Sequence, residues 1–208
     1  MLDNPLDPVA VRVLGSLIEK ERTTPDNYPL TLNALVAACN QTTNREPVLH
    51  LDEAAVVKAL DDLRRRSLVH EVFRSDSRAR RYRHVLSEKL SLHDAETALL
   101  CVLMLRGPQT TGELRGRTER LYTFDDLEAV ESTLHRLAEI GFTKQLPRQP
   151  GTKEPRWAHL MCGDVEAAEA AAPAPAERGP ADRERIARLE TDLAQLRQEF
   201  DDFRRRFE

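Results

Sequence analysis

Aromatic residues are scarce in this chain, at 5% of 208 residues, so any core has to be built from aliphatic side chains. Cysteine is nearly absent as well. Cys39, Cys101 and Cys162 make an odd set with no Cys-x-x-Cys, which excludes a disulfide scaffold and predicts free thiols in a reducing compartment. The eight glycines are scattered, and no Gly-rich phosphate loop is present. The longest apolar stretch, around residues 98–105, falls far short of the ~20 residues a membrane span needs. The opening Met1-Leu2-Asp3-Asn4-Pro5 has neither a basic stretch nor an apolar run, which predicts no signal peptide and a cytoplasmic location. A basic surplus is also missing. Residues 1–88 and 89–162 are each charge-balanced, and residues 163–208 carry the whole net charge of −4. A generic polyanion binder is thereby excluded, and any nucleic-acid contact must rest on local clusters.

The chain does contain a degenerate internal repeat. Val13, Leu14, Leu17 and Ile18 form a helical stripe that Leu99, Leu100, Leu103 and Met104 repeat. Leu32, Leu35, Val36 and Cys39 mark a second helix, with Leu114 matching Leu35. Val56, Leu60 and Leu63 mark a third, matched by Val130, Leu134 and Leu137. After each third helix the pattern turns strand-like. Residues 68–73 and 80–86 frame a polar turn, and residues 142–146 and 155–161 frame a longer loop. Asp7 before Pro8 predicts a helix start, and capping-box spacing joins Ser91 to Asp94, Thr110 to Glu113 and Asp125 to Glu128.

Three helices followed by a hairpin, twice over, predict a mainly α protein with small β-hairpins. The reading is two tandem winged-helix domains, residues 1–88 and 89–162, then a flexible Ala/Pro linker at 163–181 and an amphipathic heptad helix at 182–208. The first copy has extra residues around 23–31 and 40–47. A polar insertion beyond what the fold needs makes Asn40, Gln41, Asn44, Arg45 and Glu46 a candidate partner-binding loop.

No catalytic constellation appears. His84 and His159 occupy matched strand positions with no partner at metal spacing, so they read as strand histidines fixed by the fold. Asp61-Asp62 and Asp125-Asp126 are adjacent and point ~100° apart on a helix, as solvated faces do. The expectation is a non-enzyme with no metal, nucleotide or organic cofactor. Arginine, however, is dense from Arg64 to Arg83, opposed only by Glu71 and Asp76. Arg64, Arg65 and Arg66 suit a helix C-terminus. Arg74, Arg78, Arg80, Arg81 and Arg83 fall on the hairpin and are the candidate nucleic-acid contacts. The third helix argues against sequence readout, because Asp52, Glu53, Asp61 and Asp62 face Lys58 alone, and acids repel phosphates. Two readings remain: weak, salt-sensitive duplex-DNA binding led by the hairpin, or a protein-partner scaffold without DNA contact.

The run Tyr28-Pro29-Leu30-Thr31-Leu32-Asn33-Ala34-Leu35, with Cys39-Asn40-Gln41 and Asn44-Arg45-Glu46-Pro47-Val48, resembles the bacterial YceH family. So does Val102-Leu103-Met104-Leu105-Arg106-Gly107-Pro108-Gln109-Thr110. The resemblance implies two winged-helix domains in a cytoplasmic protein and supplies no catalytic residues.

The tail carries Ile186, Leu189, Leu193, Leu196, Phe200, Phe203 and Phe207 at alternating three- and four-residue spacing, a heptad seam. A parallel pair would set Arg185 against Glu190, Asp192 against Arg197 and Glu199 against Arg204, all attractive. The expectation is a weak parallel homo-oligomer, first of all a dimer, the alternative being an amphipathic helix folded onto its own body.

Overall fold

A computed structural model describes residues 4–74, 77–148 and 154–164, without the side chains of Arg74, Ser77 and Arg78. All of them belong to one compact unit, Met1–Ala168. The linker and the tail seam Ile186, Leu189, Leu193, Leu196, Phe200, Phe203 and Phe207 lie outside the described residues.

The first half runs α1 (Pro8–Thr23), a short 3-10 turn (Pro25–Asn27), β1 (Leu30–Thr31), α2 (Leu32–Cys39), α3 (Glu53–Arg65), β2 (Val69–Arg74) and β3 (Ser77–His84). A five-residue helix α4 (Leu86–Leu90) leads into the second half. That half comprises α5 (Asp94–Arg106), α6 (Thr111–Thr118), α7 (Leu127–Glu139), β4 (Thr143–Gln145) and β5 (Trp157–His159). The described residues are thus mainly helical with two small antiparallel sheets.

Start signals place most helices. Asp7 caps α1 by accepting from Val9 N at 2.8 Å, with Pro8 at the first helical position. Thr110 and Glu113 exchange both bonds of a capping box at α6. Two expected caps are displaced. Ser91 does not open α5; it closes α4 in the left-handed region at φ 53°. The box at α5 instead pairs His93 with Glu96, whose carboxylate accepts from His93 N at 2.7 Å. The helix α4 was hidden because residues 80–86 read as one strand, whereas β3 stops at His84. At α7 the cap is Asp126 rather than Asp125, accepting from Ala129 N at 2.8 Å. Asp125 instead offers its carbonyl to Arg115.

The first helix of each half forms the centre. α1 is buried from Ala10 to Glu19 and α5 from Glu96 to Leu105, the condition of a helix covered on every side. They cross at Gly15, where an added Cβ would lie 3.0 Å from Leu105 Cδ2. Cys101, the repeat counterpart of Gly15, donates its thiol to the Gly15 carbonyl at 3.4 Å. Val56, Leu60 and Leu63 of α3 and Val130, Leu134 and Leu137 of α7 are all buried, and both sets belong to one continuous core. The three thiols are free. Burial raises the pKa of each, that of Cys162 to about 11, which keeps them protonated.

The first sheet has order β1-β3-β2. Leu30 pairs with Tyr82 and Thr31 with Arg81, so residues in the 23–31 insertion add a strand the hydrophobic pattern was too short to announce. β2 and β3 pair from Val69–His84 to Arg74–Ser77, with an irregularity between Val72 and Arg74.

Candidate nucleic-acid interface

α3 ends where Arg66 N bonds back to the Asp62 carbonyl, and Ser67 takes φ 53° to turn the chain into β2. This turn lays the last turn of α3 beside the hairpin. Between them runs a groove lined by Arg64 and Arg65 of α3, His70 and Phe73 of β2, and Arg80 and Arg83 of β3. Glu71 sits in its floor and organises the walls. One of its oxygens lies 3.2 Å from Arg64 and the other 3.3 Å from Arg80. Arg64 also lies 3.5 Å from Asp61, and Asp62 pairs with Arg65 at 3.3 Å and Arg66 at 2.8 Å. The acids at the end of α3, read from sequence as repelling phosphate, are thereby partnered by the arginines that follow them.

Phe73 is 68% exposed, the most exposed large hydrophobic among the described residues. The irregularity in β2 falls at this position, and such a bulge re-aims a side chain. Periodicity alone places Phe73 in a strand without revealing that it faces solvent.

The five arginines named from sequence are not equivalent. Arg80 stays mostly exposed while paired with Glu71. Arg83 pairs with Glu88 at 2.9 Å. Arg81 is committed to the fold: it donates to the Pro29 carbonyl at 2.8 Å and stitches β1 to β3. Arg74 and Arg78 stand on the β2 and β3 backbones, and their side chains lie outside the described residues.

Most of the 40–47 loop is exposed, but Arg45 is buried and the side chains of Asn40, Gln41 and Asn44 bond back to the body. Asn40 donates to and accepts from the Leu51 backbone at 2.8 and 2.7 Å. Gln41 accepts from Lys20 and Arg45. Asn44 takes φ 60° and accepts from Arg106. Arg45, whose side chain is 0% exposed, grips both oxygens of Glu19 at 3.1 and 2.6 Å and the Ala38 carbonyl. Glu46 N bonds the Leu105 carbonyl at 2.9 Å, while its side chain remains exposed. Arg12, buried in α1, donates to the Cys39 and Pro47 carbonyls. Arg45 and Gln41 are therefore not presented as an open recognition surface; the insertion bolts α1, α2 and α5 together.

Burial would raise the pKa of Glu19, but the hydrogen bond and charge of Arg45 outweigh it and hold the carboxyl low. His84 is buried with Nε2 2.8 Å from Glu21, and its backbone N–H donates to the Tyr28 hydroxyl at 2.7 Å. His159 on β5 accepts from Met161 N through Nδ1 at 3.2 Å. Desolvation pushes its pKa down to about 4. Each matched histidine is thus held by its own surroundings. Among the described residues no group of three or more His, Cys, Asp or Glu is placed to hold a metal ion, and no helix is long and apolar enough to cross a membrane.

Comparison with known proteins finds close relatives along the full length. A UPF0502 protein of Solibacter usitatus is 59% identical over 100% of both chains. A UPF0502 protein of Citrifermentans bemidjiense is 54% identical over 91% of this chain and 88% of its own. One from Geobacter sulfurreducens is 50% identical over 98% of each. Residues 6–152 match the family model described as "Protein of unknown function, DUF480", and with that match and these relatives the chain belongs to the DUF480/UPF0502 family of bacterial proteins.

Proposed function

We propose that the chain is a non-enzymatic, cytoplasmic tandem winged-helix protein that binds duplex DNA weakly through the groove beside its first hairpin. The units would be residues 1–88 and 89–162, with α3 and α7 as the third helices and the β2–β3 and β4–β5 hairpins as wings. The observation that carries the reading is the groove itself, where Arg64, Arg65, Arg80 and Arg83 surround the outward Phe73. Arginines there would pair with phosphates, while Phe73 would rest on sugar or base edges. Base-specific contact is not part of the proposal, because the α3 acids are used for caps and ion pairs.

The test is fluorescence anisotropy on a generic duplex at low salt, comparing wild type with Arg78→Ala/Arg80→Ala. Arg81 is left intact, since its bond to Pro29 supports the sheet. The double variant should bind at least fivefold more weakly, two lost phosphate contacts being worth about 1 kcal/mol or more together. Equal affinity would refute the hairpin as the contact.

One observation favours a second reading, a protein-partner scaffold without DNA contact: Arg81 and Arg83 are already engaged with Pro29 and Glu88. Absence of duplex binding at low salt would select it. The tail seam, Ile186 through Phe207, would join two copies as a parallel dimer and double a weak contact by effective concentration.

A further inference from the structure

A second concentration of positive charge lies where α1, the 40–47 loop, α5 and α6 meet. Asn44, Arg106, Arg117 and Arg120 line a cavity of about 50 Å³ with Val102 and Leu105 among its apolar walls. The carboxylates nearby are already taken. Glu19, which also reaches this cavity, gives both oxygens to Arg45. Glu113 divides itself between the Thr110 backbone N–H and Arg117. Arg106 donates to the Asn44 side chain and forms no ion pair with a carboxylate among the described residues. Arg120 makes no hydrogen bond or ion pair among the described residues. Burial lowers the pKa of Arg106, and repulsion from Arg117 and Arg45 lowers it further, with only partial offset from Glu19 and Glu113.

Arginine at a helix C-terminus complements the macrodipole, which accounts for Arg106 at the end of α5 and Arg117 near the end of α6. It does not account for Arg120, which lies beyond α6, nor for all three lining one small cavity. An anion seated among them would relieve their repulsion, and guanidinium groups bind tetrahedral oxyanions through paired N–H donors. We propose that this cavity is a binding site for a phosphate-type oxyanion, held by Arg106, Arg117 and Arg120. The volume suits a single phosphate group and excludes a whole nucleotide. A free ion and a phosphate of a nucleic-acid backbone share that chemistry. The small volume favours the free ion.

The test is the melting temperature of the full chain with inorganic phosphate against chloride at equal ionic strength. At tenfold excess over Kd the wild type should melt about 3 °C higher in phosphate. Arg120→Gln removes an exposed side chain with no bonds, so it will fold, and it should lose at least half of that rise. Arg117→Gln/Arg120→Gln should lose all of it. ³¹P line broadening of inorganic phosphate should disappear in the same double variant. A duplex-DNA arm separates the sources. Unchanged duplex affinity in the double variant supports a free ion, and reduced affinity supports a backbone phosphate in the same site. A wild type that responds to phosphate no more than to chloride would overturn the proposal. So would a double variant that responds as wild type does.

Discussion

Arg45→Ala should be among the most damaging single substitutions in the chain. The Arg45 side chain is fully buried. It satisfies the Glu19 carboxylate twice, the Ala38 carbonyl through Nε and Nη2, and the Asn44 carbonyl. Without it Glu19 keeps only Lys20, at 3.4 Å, in a wall shared with the central helices. Removing one member of a buried pair typically costs about 3–5 kcal/mol, mostly from the charge left behind. Against a total stability of about 5–15 kcal/mol, the variant should lose a large part of its urea midpoint. Glu19→Gln alone should cost less, because an amide is cheaper to strand than a carboxylate. Arg45→Met/Glu19→Leu should recover much of the loss, so the two single costs should not add. The pair also gives stability a pH dependence. The Glu19 pKa is lower folded than unfolded, so its contribution is present above the ordinary carboxyl range and is lost as pH falls through the folded value. Arg45→Ala should lose that acid-sensitive component. A cost below about 1 kcal/mol for Arg45→Ala, or additive single costs, would refute the reasoning.

Other outcomes follow from the same geometry. Leu60→Ala and Leu134→Ala, at matched buried positions of α3 and α7, should each cost about 2–5 kcal/mol in urea unfolding; a loss below about 0.5 kcal/mol would mean the site is not packed. His159 should titrate near pH 4 by NMR. Because its folded pKa is depressed, its neutral form is no burden above about 6.5, and stability is lost as pH falls from there toward 4; an ordinary histidine titration would contradict this. Sedimentation of the full chain should show a dimer that Leu193→Asp/Leu196→Asp dissolves; identical masses for both at high concentration would remove the tail from the assembly.

What the sequence revealed and what it hid have physical causes. Leu14, Leu103, Leu60 and Leu134 were legible as core because helical periodicity survives the divergence of the repeat, and all four are buried. The order of helices and hairpins followed from the same stripes. β1 was not legible, since two residues give no alternation. α4 was not, since its five residues hold too little apolar periodicity to separate from the strand before it. Arg45 read as a surface residue because its loop is polar, and only the packing of α1 reveals Glu19 beneath it. Arginine density located the hairpin, but Arg81 and Arg80 look alike in sequence. Only strand pairing distinguishes the one that holds β1 from the one left in the groove.

The claim that the first hairpin contacts duplex DNA is tested most directly by a salt series on the wild-type protein. Each phosphate neutralised contributes about −0.9 to the slope of log affinity against log salt concentration. About three contacts from the groove and the hairpin predict a slope near −3 for each chain, falling toward about −1 if Arg78→Ala/Arg80→Ala removes two of them. No binding at low salt, or binding that salt leaves unchanged, would contradict the account.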